Sequence, residues 1–310
     1  MSISVLFRGP NTRSDIWRKL AVEAIPNLKW YVWPDVPAPE TVEALITWLP
    51  PKNYLELFPN LKAVFSVGIG VNQFSPSTIP AHIKLVKMVD PNINTMIETY
   101  VLSSVFMLHR DQFHYIKSQQ NAQWLPLPLK LPSECHIGIM GLGNLGQSVA
   151  NKLAQLGFQV SGWNRSVREM GGIDTYMGRE QLSNFMSSLD IVICLLPLTE
   201  TTLGILNADN FSKLPKGASI INIGRGQHLV EKDLLEALST GQLEFAILDV
   251  FEKEPLPPGH PFWSHPKIHV TPHIAAITCD ETAGIQLAKN LQRLINNQEL
   301  VGEVDKSKGY

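Results

Sequence analysis

The sequence predicts an α/β protein built from two domains, each a parallel sheet with crossover helices, with a cleft between them. Three observations carry that prediction. Short apolar runs alternate with helical patterns along most of the 310 residues, which is the signature of a parallel sheet. The length itself fits roughly two domains. And the stretch Ile137-Gly-Ile-Met-Gly-Leu-Gly-Asn-Leu-Gly146 joins an apolar run to a helical segment through Gly141-x-Gly143-x-x-Gly146. That context makes a common glycine pattern a dinucleotide-binding, Rossmann-like fingerprint. Gly141 allows the tight turn, Gly143 lets backbone approach a pyrophosphate, and Gly146 lets the helix sit close to the strand. The N–H groups of the helix start, at Asn144, Leu145 and Gly146, then face the phosphates.

Residues 3–7 read as the first strand. Ser14 to Ile25 is helical, with Ile16, Leu20 and Ala24 on one face and Pro26 as terminator. Further strands are expected at Trp30 to Trp33, Ala44 to Leu49, Leu61 to Val67 and Lys84 to Met88, so about the first 95 residues form one small α/β unit. A helical pattern from Thr95 to about Gln120 contains no Gly or Pro and predicts one long helix. The segment Trp124-Leu-Pro-Leu-Pro-Leu-Lys-Leu-Pro132, with three prolines in nine residues, reads as a surface connection between domains. After the fingerprint come strands at Gln159 to Trp163, Asp190 to Leu196, Ala218 to Ile223, Phe245 to Asp249 and Ile268 to Thr271. Helices are expected at Leu182 to Phe185, Glu231 to Leu238 and 277–297.

Composition narrows the function. Apolar content of 44%, charge of 17% and a net charge of −2 describe an ordinary soluble chain with no field to draw it to nucleic acid or membrane. No apolar run approaches the roughly 18 residues of a membrane helix. Cys135, Cys194 and Cys279 are scattered and lack CxxC spacing, so reduced thiols, a cytoplasmic setting and no metal site are expected.

In an open α/β sheet the ligand crevice lies outside the carboxyl ends of the strands. Three apolar strands lead there into Arg225, Asp249 and His273, and Glu254 follows Asp249 by five residues. Beside a dinucleotide, such a set points to carbonyl reduction of an acid. A guanidinium holds a carboxylate bidentately, and an imidazole gives a proton to the carbonyl oxygen as hydride arrives. A neighbouring carboxylate keeps an imidazolium protonated and oriented. Each residue also has a plain alternative: Arg225 a loop charge, Glu254 a solvated acid, His273 a core histidine, since spacing alone does not choose His273 over His269 or His265. The second fingerprint strand ends at Asn164, where an acid would select the adenosine 2′-hydroxyl. Arg165, Ser166 and Arg168 follow, a set suited to a 2′-phosphate. NADP(H) is therefore expected over NAD(H), with NAD possible.

The segments Ile221-Asn-Ile-Gly-Arg-Gly226, Leu248-Asp-Val-Phe-x-x-Glu-Pro-Leu-Pro257 and Thr271-Pro-His-Ile-Ala-Ala276, in that order after the glycine motif, resemble the D-isomer-specific 2-hydroxyacid dehydrogenase family over essentially the whole chain. Trp48-Leu-Pro-Pro51, Trp124-Leu-Pro-Leu-Pro128, Thr271 to Thr278 and the terminal Val304-Asp-Lys-Ser-Lys-Gly-Tyr310 are similar to its glyoxylate/hydroxypyruvate reductase A subgroup. The resemblance implies reduction of small 2-oxoacids, with glyoxylate giving glycolate and hydroxypyruvate giving D-glycerate. It implies that Arg225 binds the substrate carboxylate and keto oxygen, that Glu254 pairs with His273, and that His273 is the acid–base residue. It places Gly68 and Ile69 on the substrate carboxylate, Asp249 at the nicotinamide carboxamide, and Leu196, Pro197, Thr202 and Ile223 along the cofactor. It further implies a substrate domain of residues 1–97 and 275–310, a dinucleotide domain of residues 98–274, and a homodimer. Trp48 either caps the substrate pocket or is a core aromatic. The family loop reads Gly-Ala-Gly-Val-Asp; here it is Gly68-Ile-Gly-Val-Asn72, so a bulkier Ile69 is expected to trim the pocket. Three other readings stay open: a dinucleotide-sensing corepressor of the same fold, for which a compact chain without long tails is less suited; a dehydrogenase of larger or phosphorylated 2-hydroxyacids; and phosphite or formate oxidation.

Overall fold

The computed structural model describes residues 3–166 and 169–306. They form two compact units, one of Met1–Ile93 with Ile277–Tyr310, the other of Asn94–Ala276.

The first unit holds β1 (Ser4–Arg8), β2 (Lys29–Val32), β3 (Ala44–Thr47), β4 (Ala63–Ser66) and β5 (Lys84–Val86) in one parallel sheet of order β2-β1-β3-β4-β5. Strands β3 and β4 are buried along their whole length, which is why they read as continuous apolar runs rather than alternations. Alternate residues serve opposite cores. Val5, Phe7, Ile46 and Phe65 pack with Trp17, Ala21, Leu287 and Leu291. Leu6, Leu45, Val64 and Leu85 pack with Phe58, Phe74, Ile83 and Val304. The helix Asp280–Ile295 therefore closes a sheet whose strands all lie before residue 87 in the sequence. It lies so near the helix Asn11–Ala24 that a Cβ on Gly284 would stand 2.6 Å from Leu20 Cδ1 and 2.9 Å from Trp17 Cδ1. Buried Asp90 ties the two crossing segments of the unit together. Its carboxylate accepts from Asn92 N and Thr282 Oγ1, both at 2.9 Å, and from Cys279 N at 3.1 Å.

The second unit holds β6 (His136–Met140), β7 (Gln159–Asn164), β8 (Asp174–Met177), β9 (Ile191–Cys194), β10 (Ala218–Asn222), β11 (Leu243–Leu248) and β12 (Ile268–Val270). All are parallel, in the order β12-β11-β10-β9-β6-β7-β8. The chain leaves β6 toward β7 on one side and later returns as β9 on the other. The carboxyl end of β6 is therefore the topological switch point, and the glycine turn sits on it.

Several expectations need correction. The predicted long helix is two, Asn92–His109 and Gln112–Gln120, broken at Asp111 with φ 52°. No Gly or Pro marks the break; packing makes it. His109 stays edge-on to Phe158, just before β7, at 5.0 Å, while Phe113 stacks on Phe245 of β11 at 4.8 Å. The inward face of the helix Asn11–Ala24 is Ser14, Trp17 and Ala21, with Ile16, Leu20 and Ala24 only half-buried beside it. Strand β8, polar and at the sheet edge, was not expected. The proline-rich segment 124–132 lies inside the second unit rather than between units, with Trp124 99% exposed. Among the described residues no helix is long and apolar enough to cross a membrane.

The Gly284 contact generates a prediction. Gly284→Ala adds a methyl group where two side chains already press, and is expected to lower stability by about 1–3 kcal/mol despite alanine's better helix propensity. Urea unfolding of the two proteins measures it.

Candidate active site

The glycine turn has the geometry its sequence demands. Gly141 takes φ 104°, and a Cβ there would lie 2.9 Å from the Leu195 carbonyl oxygen at the end of β9. A Cβ on Gly146 would collide with the Gly141 carbonyl, so the helix Asn144–Gln155 is seated directly on the turn. Gly143 is different: a Cβ there would meet nothing within 4 Å. It is exposed, it precedes a helix start with no side-chain cap, and the first amides of that helix, from Asn144 to Gly146, have no intrahelical acceptors. Bare backbone, open space and the positive end of a helix dipole fit a pyrophosphate.

At the end of β7, Asn164 is half-buried and gives Nδ2 to the Ser166 carbonyl at 3.3 Å. Arg165 and Ser166 are exposed. Arg168 lies outside the described residues. Beyond β9, Leu196 is buried. The Thr202 hydroxyl donates to the Pro197 carbonyl at 2.8 Å and so holds the turn that follows. Ile223 is buried and donates its amide to the Cys194 carbonyl at 3.3 Å.

Arg225, Asp249 and His273 follow β10, β11 and β12, three neighbours in the sheet, so one edge brings them together. Asp249 is 1% exposed, and its carboxylate organises the loop after β12. Oδ1 accepts from Thr271 Oγ1 at 2.6 Å and from Ile274 N at 2.8 Å, and Oδ2 accepts from Ala275 N at 2.9 Å. The Asp249 carbonyl accepts the His273 amide at 2.9 Å. Between these anchors His273 takes a left-handed φ of 55°, rare for a residue with a side chain. Its Nδ1 meets Glu254 Oε2 at 2.7 Å, while Glu254 Oε1 accepts Phe251 N at 3.0 Å. Burial acts to raise the Glu254 pKa. The His273 hydrogen bond, the Phe251 amide and the charges of His273 and Arg225 outweigh it and hold the carboxyl below its usual value. Burial lowers the Arg225 pKa, and the charge of Glu254 opposes it.

Sequence reading missed three supports of this set. Gly226 presses onto the Phe251 backbone so closely that any Cβ would collide with the Phe251 carbonyl, packing the Arg225 loop onto the segment that carries Glu254. Tyr100 shares a hydrogen bond with Thr271 at 2.6 Å, and burial pushes its pKa up to about 12. His228 lies fully buried behind Arg225. The Arg-Gly-x-His spacing, Arg225 to His228, is its only mark in the sequence.

In the first unit, the loop after β4 turns its carbonyls inward. Val67 O accepts from Thr278 Oγ1 at 3.1 Å, Gly68 O from Met88 N at 3.0 Å, and Gly70 O from Ser66 Oγ at 2.9 Å. The Gly68 amide donates to Ser66 Oγ at 3.3 Å, and among the described residues none accepts from the amide of Ile69. Trp48 is 39% exposed. Its indole lies on Gly68, where a Cβ would stand 2.9 Å from Cζ3. Cys135 and Cys194 are buried, each with its thiol pushed up to about 12 by burial, and carry no chemistry.

His228 generates a pH prediction. Burial drives its pKa down from 6.5 to about 4. Between those values the unfolded chain binds a proton that the folded chain does not, so stability is full above pH 6.5 and falls as pH drops toward 4. The loss is about 3 kcal/mol from this group. The depressed Glu254 adds to it in the same direction as pH falls through its folded pKa. Urea unfolding between pH 4 and 7 should show the slope, and His228→Asn should flatten it.

A family model described as the NAD binding domain of D-isomer specific 2-hydroxyacid dehydrogenase matches residues 102–275. The chain is 39% identical to glyoxylate/hydroxypyruvate reductase A of Yersinia enterocolitica, over 99% of this chain and 100% of that one. Among solved structures it is similar to a D-isomer specific 2-hydroxyacid dehydrogenase from Xanthobacter autotrophicus Py2 in complex with NADPH and MES, with a TM-score of 0.93, 34% identity and both chains covered in full. It is also similar to the NADPH-dependent glyoxylate/hydroxypyruvate reductase of Sinorhizobium meliloti in complex with NADP and sulfate, at a TM-score of 0.90 and 33% identity, again over 100% of both chains. With its fingerprint turn, its three strand-end residues and this likeness over its full length, the chain belongs to the D-isomer specific 2-hydroxyacid dehydrogenase family.

Proposed function

We propose that the chain is an NADPH-dependent reductase of small 2-oxoacids that converts glyoxylate to glycolate and hydroxypyruvate to D-glycerate. The observation that carries this reading is the 2.7 Å pair of His273 Nδ1 and Glu254 Oε2 at the sheet edge that also bears Arg225. Relatives bearing the name glyoxylate/hydroxypyruvate reductase, one of them solved with NADP, support it.

Arg225 holds the substrate carboxylate and keto oxygen, a task for which a planar guanidinium is suited. The amides of Gly68 and Ile69 take part in holding the carboxylate, and Trp48 with Ile69 favours small substituents. Glu254 takes Nδ1 of His273, which leaves Nε2 to deliver a proton to the carbonyl oxygen. When bound, the nicotinamide supplies the hydride to the carbonyl carbon. Gly141, Gly143, Asn144, Leu145 and Gly146 would hold its pyrophosphate, and Asn164, Arg165 and Ser166 would hold the 2′-phosphate, with Arg168 the further cation that the sequence offers there. Leu196, Pro197, Thr202 and Ile223 line the rest. Asp249 has acceptor capacity for one more donor, and the carboxamide is the natural one. A cytoplasmic homodimer that packs through the dinucleotide-binding units completes the reading.

A spectrophotometric screen of 2-oxoacids with NADPH and NADH in parallel tests it. Rapid NADPH oxidation with glyoxylate is expected; dinucleotide binding without turnover would favour the corepressor-like reading instead. His273→Ala should lower kcat by about 10²–10⁴-fold. Arg225→Ala should also raise KM for the keto acid, and near-normal kcat in His273→Ala would remove the assignment. Arg165→Ala should raise KM for NADPH about ten-fold while leaving KM for NADH nearly unchanged, the pattern expected from losing one charge-assisted phosphate contact.

A further inference from the structure

His228 has no place in the mechanism above, yet it is fully buried and both its ring nitrogens are committed. Arg225 and His228 bracket a single short turn, Gly226–His228, which folds the imidazole back beneath the arginine. Nδ1 receives the Arg225 amide at 3.0 Å. A backbone amide only donates, so this nitrogen carries the lone pair. The proton then belongs on Nε2, which faces the Pro197 carbonyl at 3.3 Å, an oxygen that only accepts. The two contacts define one tautomer of a neutral ring, and burial, with the nearby Arg225 charge, keeps the second proton off. The Pro197 oxygen is shared with the Thr202 hydroxyl at 2.8 Å. There is no slack around the ring: a Cβ on Gly224 would lie 2.8 Å from Nδ1 and 3.1 Å from the Leu196 carbonyl oxygen. The loop beyond is stitched to the same turn, since Gly204 N reaches Gln227 O at 2.9 Å and Leu206 N reaches His228 O at 2.8 Å.

We infer that His228 is a positioning residue that fixes the backbone of Arg225 through Nδ1 and the Leu196–Pro197 turn through Nε2, setting the carboxylate-binding arginine in register with the dinucleotide-lining turn. The inference rests on the roles of Arg225 and Pro197 given above. Two arms follow from it, and they are separable by chemistry. An asparagine carries an acceptor near the place of Nδ1 but does not reach Pro197. A glutamine reaches the place of Nε2 with a donor but leaves the Arg225 amide without its acceptor. A leucine offers neither.

The experiment compares the wild-type protein with His228→Asn, His228→Gln and His228→Leu. It measures KM and kcat for glyoxylate, the Kd of NADPH by its fluorescence, and thermal melting. In His228→Gln, KM for glyoxylate should rise about ten-fold, as expected for one buried amide left unpaired, with the NADPH Kd within about two-fold of wild type. In His228→Asn the order should invert: NADPH binding weakens while KM for glyoxylate stays near the wild-type value. His228→Leu should show both losses. If the Gln and Asn variants change KM and Kd in parallel, or change neither, or if both fail to fold, His228 is an ordinary core residue and the inference falls. Wild-type protein that does not oxidise NADPH with glyoxylate would count against the proposed reaction. The NADPH Kd values would still read the Pro197 arm alone, so the two failures are distinguishable.

Discussion

The carboxylate of Asp249 is the constraint on which the candidate site depends. At 1% exposure it cannot be solvated by water, and an ionised carboxylate buried without donors would cost several kcal/mol. Three donors meet it, and all three belong to the loop after β12: the Thr271 hydroxyl and the amides of Ile274 and Ala275. The charge therefore demands the loop conformation, and the loop in turn supplies what the charge needs. His273 sits in the middle, in a left-handed backbone that costs on the order of 1 kcal/mol or more for an L-residue. The anchors on either side over-determine that conformation. The Tyr100 hydroxyl extends the brace, since Thr271, having given its proton to Asp249, is left to accept from Tyr100.

The same logic of close backbone approach ties the other two functional loops together. Gly226 leaves no room for a side chain against Phe251, and Phe251 in turn donates its amide to Glu254. Arg225 carries a charge whose pKa burial depresses, and the compensation it receives is the long-range charge of Glu254. The planar guanidinium carries five donors, and one of them goes to the carbonyl of its own neighbour Gly224 at 2.6 Å.

The parts of this protein legible in its sequence are those where one residue type has one physical use. Gly141 at φ 104° and Gly146 beneath the turn admit no other side chain, so the fingerprint announces the switch point. Apolar or largely apolar runs such as Ile191–Cys194 and Ala218–Asn222 announce strands buried on both faces, and strand order then brings Arg225, Asp249 and His273 to one edge. What was not legible depends on tertiary contacts. Asp111 breaks a helix that propensity would continue, because His109 packs on Phe158, just before β7, and Phe113 on Phe245 in β11. Strand β8 is polar and half-exposed, and only its pairing with β7 makes it a strand. Prolines at 126, 128 and 132 resemble a linker, yet they belong to a surface segment within one unit.

The histidines show most sharply how environment rather than identity assigns a role. Nine occur in the chain, and two of them, His228 and His273, follow strands that end at the same edge of the sheet. His228 has its Nδ1 held by an amide and its Nε2 by a carbonyl, in a fully buried place where burial drives its pKa to about 4. Such a ring has no free nitrogen and no proton to give near neutral pH. His273 is more than a third exposed at its side chain and gives Nδ1 to a carboxylate, and among the described residues nothing holds its Nε2. One imidazole is locked into the scaffold and the other is oriented by a carboxylate, the separation of environments that the proposed division between structural and acid–base work requires. Exchange of their surroundings, not of their chemistry, would exchange their functions.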